Sequence, residues 1–127
     1  MAKEVIIPAD VIPPKGFSHA YKCGNTIYVA GQTATDEEGK VMGRGDMVAQ
    51  TDRAYENIKR VLAAAGAGMT DIVKLNTFVT DMEAFFNTRE PRKKHFGSHF
   101  PVNTVVEVAR LMDPEAMIEV EAIAVVD

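Results

Sequence analysis

Toward the C-terminal end, two stretches alternate apolar and polar residues in the manner of strands: PVNTVVEVARL from Pro101 and AMIEVEAIAVV from Ala116, joined by Met112-Asp113-Pro114-Glu115. At the strand period of two, Val106, Val108, Ile118, Val120, Ala122, Ala124 and Val126 fall on one face. The other face collects Asn103, Val105, Glu107, Glu119, Glu121 and Ile123. Carboxylates spaced among apolar residues mark that second face as more than a plain solvent surface.

The same reading carried upstream predicts a short strand at residues 4–8. A loop follows at residues 11–16, where Pro13-Pro14 excludes helix and interrupts ladder bonding. Residues 17–22 and 26–31 form a hairpin about Gly24-Asn25, and Gly31-Gln32 ends the second strand where backbone can approach a ligand closely. After a polar loop, Asp46 caps a helix to about residue 65, with Val48, Tyr55, Ile58, Leu62 and Ala65 as its apolar stripe. Gly66 and Gly68 stop it.

Residues 71–81 alternate as a strand, with Val73, Leu75, Thr77 and Val79 on one face and Ile72, Lys74, Asn76, Phe78 and Thr80 on the other. A second helix spans roughly residues 82–98. Pro91 requires that its regular part begin near residues 88–90, where a missing N–H costs little. The order of elements predicts an α+β domain, two helices packed on one face of a largely antiparallel sheet. Phe78, Val105, Ile123 and Val125 remain on the uncovered side, which makes that face a candidate subunit interface.

Composition narrows the class. The 127 residues suit one domain, 1–127, and 46% hydrophobic content is ordinary for a globular chain. A net charge of -4 without a basic run disfavours nucleic acid as a partner. No apolar run spans a bilayer and no signal-peptide core follows Met1, so the expected setting is cytoplasmic, with no membrane partner. Cys23 has no second cysteine and is read as structural.

Glu119 and Glu121 lie two apart on one strand, with their Cα atoms ~6.5–7 Å apart. Clustered, partly buried carboxylates raise one another's pKa into a range useful for proton transfer. Pairing with Arg110, Arg89 or Lys74 is the alternative. His95 and His99 have the H-x-x-x-H spacing of a chelating helical pair, but no adjacent glutamate or third ligand accompanies them. Solvent or a helix C-terminal contact is the simpler fate for both, no metal is expected, and His19 in the hairpin is open in the same way. The basic flank Arg89, Arg92, Lys93 and Lys94 is either a solvated face or the source of a carboxylate-binding arginine. No nucleophilic triad, P-loop or dinucleotide fingerprint is present, so any chemistry is acid–base and free of organic cofactors.

Several segments together resemble the YjgF/RidA family of enamine/imine deaminases. They are the hairpin ending in Gly31-Gln32, AQTDRAYENIKRVLAAAG at residues 49–66, DIVKLNTFVTDM at 71–82, VEVARL at 106–111 and IEVEAIAVV at 118–126. The resemblance covers nearly the whole chain in order. It implies a chorismate-mutase-like subunit in a homotrimer, with ligand sites in the clefts between subunits. It also implies that Glu119 positions the attacking water, that the Gly31 backbone lines the pocket, and that Phe17 occupies the place of a pocket tyrosine. At the position of the family's substrate-clamping arginine stands Asn103, and Val105 replaces a cysteine two residues on, with Thr104 between them. Arg89 falls where deaminases commonly carry asparagine.

The expected function is hydrolytic deamination of a small carboxylate-bearing enamine, imine or aminomuconate-like metabolite. Asn103 or Arg89 would receive the carboxylate. The competing expectation is a non-catalytic oligomer that binds a metabolite or a protein. A nuclease is disfavoured by acidity.

Overall fold

The structure, a computed structural model, describes residues 2–127; Met1, the first residue of the expected domain, lies outside them. Six strands form one sheet: β1 (Lys3–Ile6), β2 (Ala20–Cys23), β3 (Thr26–Gln32), β4 (Ile72–Val79), β5 (Val102–Glu107) and β6 (Ile118–Val125). Their spatial order is β1-β2-β3-β6-β4-β5. All neighbours are antiparallel except β4 and β5. A parallel pair cannot be closed by a tight turn, and the crossover here is helical. It consists of the single turn α2 (Met82–Phe85) and then α3 (Arg89–Phe96). The α+β class and the mostly antiparallel mixed sheet are as expected.

The long helix α1 (Met47–Ala64) begins where Asp46 accepts a hydrogen bond from the Ala49 N–H, the cap read from sequence. Its Ala54, Tyr55, Ile58, Val61 and Leu62 are fully buried against Ile27, Val29, Leu75, Val79, Ile118 and Val120 of the sheet. Each such aliphatic side chain stabilises the fold by roughly 1.5–3 kcal/mol. Val48 is exposed instead of joining the stripe, and Met47, Gln50 and Thr51 take the buried positions of the first turn. The expected second helix is divided: Pro91 is the third residue of α3, where its missing N–H breaks no ladder bond, and residues 86–88 separate the pieces. Residues 17–19 precede β2 as irregular chain, not strand. No helix among the described residues is long and apolar enough to cross a membrane.

Two expectations about faces are corrected. β5 and β6 are not neighbours, because β4 lies between them. The β4–β5 register pairs Leu75 with Asn103, Thr77 with Val105 and Val79 with Glu107, and those three β4 residues face the helices. Asn103, Val105 and Glu107 therefore share the helix side, while Glu119, Glu121 and Ile123 point to the open side with Phe78, Asn76 and Lys74. Val106 moves to the open face, and Val108 lies beyond the end of β5. The second correction is at Ile72, expected beside Lys74. A bulge at Val73 resets the alternation, so Ile72 is buried and Val73 exposed.

Candidate functional site

Glu119 is held in the middle of the open face by β6, in a row with Phe78 of β4 and Val106 of β5. Val120 and Ile118 on either side of it are fully buried, which fixes the direction of the side chain. The carboxylate lies over Gly31 of β3. A Cβ at Gly31 would meet the Glu119 Cδ at 2.8 Å and its Cγ at 2.9 Å, so any side chain there would displace the glutamate from this position. β3 bulges at this point: Val29 pairs with Ala122 and Gln32 with Val120, leaving Ala30 and Gly31 opposite Glu121.

Glu119 has no hydrogen bond or ion pair among the described residues, and it is half-buried. Burial first, then the charge of Glu121, push its carboxyl above the ordinary value. Glu121, by contrast, accepts a hydrogen bond from Asn76 Nδ2 at 2.8 Å. Beside this pair a shallow concavity of about 170 Å³ is lined by Tyr28, Lys74, Asn76, Glu121 and Ile123. One carboxylate is thus tied down and its neighbour is free, an arrangement suited to taking up and returning a proton.

The other sequence-predicted residues divide by position. Thr104 is in the row of Asn76 and Glu121, on the Glu119 face. Asn103 and Val105 are on the opposite face; Asn103 Oδ1 accepts a hydrogen bond from the buried Thr77 hydroxyl at 3.0 Å, and Val105 packs against the core. Arg89 is exposed at the start of α3, with no hydrogen bond or ion pair among the described residues. Phe17 is half-exposed and meets His19 edge-on at 5.2 Å. Within the chain, then, Glu119, Gly31 and Thr104 share a surface that Asn103 and Arg89 do not reach.

Glu107 and His95 take partners outside the alternatives read from sequence. Glu107 accepts the Met82 N–H at the start of α2 instead of pairing with a cation. His95, its side chain buried, lies with Nε2 2.7 Å from Asp52 Oδ1, and Lys94 reaches the same carboxylate at 3.0 Å. Burial alone would raise the Asp52 pKa, but the bonds from His95 and Lys94 outweigh it and leave it lowered. His99 is exposed. Sequence reasoning passed over Asn76 and Thr77, whose partners come from other strands, and it gave His19 and Gln32 no joint role. The signal for that pair was slight: a histidine just before the first hairpin strand and a glutamine ending the second.

An α+β subunit with a mixed sheet, helices on one side and a half-buried glutamate over a bulge glycine on the other defines the class. The family described as Endoribonuclease L-PSP matches residues 9–126. A RutC family protein of Pyrococcus abyssi is 42% identical over 125 residues, covering 98% of each chain. A Dermatophagoides farinae protein named 2-iminobutanoate/2-iminopropanoate deaminase is 34% identical over 129 residues, covering 100% of both. The crystal structure of the YjgF gene product of E. coli superposes with a TM-score of 0.89 at 32% identity, over 98% of this chain and 99% of that one. The chain belongs to this family, the YjgF/RidA family that its sequence resembles.

Proposed function

We propose that the protein hydrolyses a small enamine, imine or aminomuconate-like metabolite and releases ammonia, with a water oriented by Glu119. The observation that carries this reading is the state of that carboxylate: half-buried, raised in pKa, seated on Gly31 and without a partner among the described residues. Kinship with a protein named as an imine deaminase supports the reaction class.

The chemistry asks little of the protein, because a C=N carbon is already electrophilic. An enamine first tautomerises to its imine. Water adds to the C=N carbon of the protonated imine as one water proton passes to Glu119, leaving a carbinolamine. The carboxyl then returns that proton to the nitrogen, and the C–N bond breaks as the hydroxyl proton goes to solvent and its electron pair forms the C=O bond, giving a carbonyl product and ammonia. A carboxyl whose pKa is raised toward the working pH serves both halves. Phe17 walls the pocket, backbone at Gly31 lines it, and Thr104 stands beside it on the same face.

Asn103 and Arg89 enter the reading only if a second copy brings them to Glu119, since one protomer keeps them apart. A homotrimer in which the β5 edge and the start of α3 of one copy approach the open face of the next meets that requirement. The exposed apolar residues there, Tyr21, Tyr28 and Val125 among them, support it. In such a cleft Asn103 or Arg89 receives the carboxylate of the substrate.

Ammonia release from freshly generated imines and enamines tests the reaction. Glu119→Gln, which keeps size and loses the proton shuttle, is expected to lower kcat about 100-fold or more. Turnover equal to the parent protein's removes Glu119 from the mechanism. No turnover on any member of the panel favours the second reading, a non-catalytic metabolite binder, which the engagement of Asn103 by Thr77 supports.

A further inference from the structure

Two buried polar side chains stand beside the seat of Glu119 and are not used by the proposed reaction. His19 and Gln32 are only 2% and 3% exposed, so their polar atoms depend on protein partners. His19 Nε2 lies 2.6 Å from the Ile12 carbonyl. A carbonyl only accepts, so in the neutral ring the proton is on Nε2 and Nδ1 is a bare acceptor. Gln32 Nε2 meets that Nδ1 at 3.0 Å and the Ala30 carbonyl at 3.1 Å. Both are acceptors, which fixes the glutamine amide as well as the histidine tautomer.

The Ala30 N–H donates in turn to the His19 carbonyl at 2.8 Å. His19, Ala30 and Gln32 therefore close a ring of three hydrogen bonds around the first residue of the bulge. Gly31 follows immediately, with the Glu119 side chain lying on it so closely that a Cβ there would push the glutamate aside. The seat of the carboxylate is bare backbone, and its height above the sheet is set by the bulge. Phe17 packs on the His19 ring, so the aromatic wall is attached to the same group of residues.

We propose that His19 and Gln32 are positioning residues, whose hydrogen-bonded ring holds the Ala30–Gly31 bulge at the height that keeps the Glu119 carboxyl half-buried and free of protein partners. The catalytic part of this inference rests on the proposed role of Glu119; the placement of the carboxyl does not. Gln32→Met tests it, since it retains the shape of the side chain and removes both donated bonds.

The readout is the titration of the Glu119 carboxyl carbon in protein labelled with ¹³C-glutamate, its signal assigned by its loss in Glu119→Gln. Burial is the first cause of the raised value, so loosening the seat admits water and moves the midpoint down. The expected result is a fall of about half a pH unit or more, with kcat reduced about tenfold and KM changed far less. An unchanged midpoint in folded Gln32→Met protein, whatever its melting temperature, overturns the inference and leaves the ring a purely structural feature.

Should Gln32→Met not fold, His19→Phe carries the same test. It keeps an aromatic ring beside Phe17 and loses the Nδ1 acceptor together with the Ile12 bond, with the same shift expected and the same null result fatal. Because the titration needs no turnover, a midpoint that moves in a protein without deaminase activity supports the ring and counts only against the proposed reaction.

Discussion

The two faces of the sheet are built from the same six strands and have opposite characters. On the helix side Ile27, Val29, Leu75, Val79, Ile118 and Val120 are buried to within a few per cent of completely, and the Thr77 hydroxyl among them is hydrogen-bonded. On the open side Tyr21, Tyr28, Val106 and Val125 are exposed by 40–50%, and two carboxylates sit among them. The covered face shows what a finished interior looks like. The open face has the apolar content of an interface and the unsatisfied charge of a site, so the difference separates residues that make the fold from residues that use it.

The largest effect expected from this contrast is on the covered side. Leu62→Ala removes a fully buried side chain from the contact between α1 and the sheet. We expect a loss of about 3 kcal/mol and a fall in Tm of about 10 °C, measured by circular dichroism. A loss below about 1 kcal/mol would mean that the core repacks around the gap, and the contrast between the faces would weaken.

Next in size is a change that leaves the fold alone. Ile123→Asp puts a charge in the centre of the open face, between Tyr28 and Lys74. If copies associate through that face, sedimentation should change from a multiple of 13.9 kDa to 13.9 kDa itself, with the far-ultraviolet spectrum unchanged. Parent protein that already sediments at 13.9 kDa removes the trimer from the proposal.

How far the sequence reveals these faces depends on how local each signal is. The hairpin about Gly24-Asn25, the Asp46 cap and the start of α3 near Pro91 were legible because each is decided within a few residues. The side on which β5 presents Asn103 was not. That side follows from the register of β5 against β4, and alternation within an edge strand exposed on both faces does not specify it. The Val73 bulge shifted one strand for a similar reason: an extra residue becomes visible only when the partner strand is known. Within the candidate site, Glu119 was marked by strand alternation and Gly31 as the glycine that ends the hairpin; their roles were implied by family resemblance, and the structure places the two in contact. The ring at His19 and Gln32 joins residues 13 apart through a tautomer that no spacing encodes.

The smallest expected effect is the one that most sharply distinguishes the carboxylates of the two sides. Glu119 has its pKa raised above the ordinary 4.5 by burial and by Glu121, so the folded protein holds that proton more tightly than the unfolded chain. Its contribution is therefore most favourable below the unfolded value and is lost as pH rises through the folded one. At pH 7 the ionised carboxylate is a liability to the fold, kept small because the group is half open to solvent. Asp52, lowered despite partial burial by His95 and Lys94, has the opposite sign: its stabilisation is present at neutral pH and lost on acidification. Glu119→Gln should accordingly melt slightly above the parent protein at pH 7, with the difference closing as pH is brought below about 4.5. Thermal melts across that range decide it. A variant that melts below the parent at pH 7 would mean that Glu119 has a stabilising partner, and its place would be among the residues that make the structure instead of those that act on a substrate.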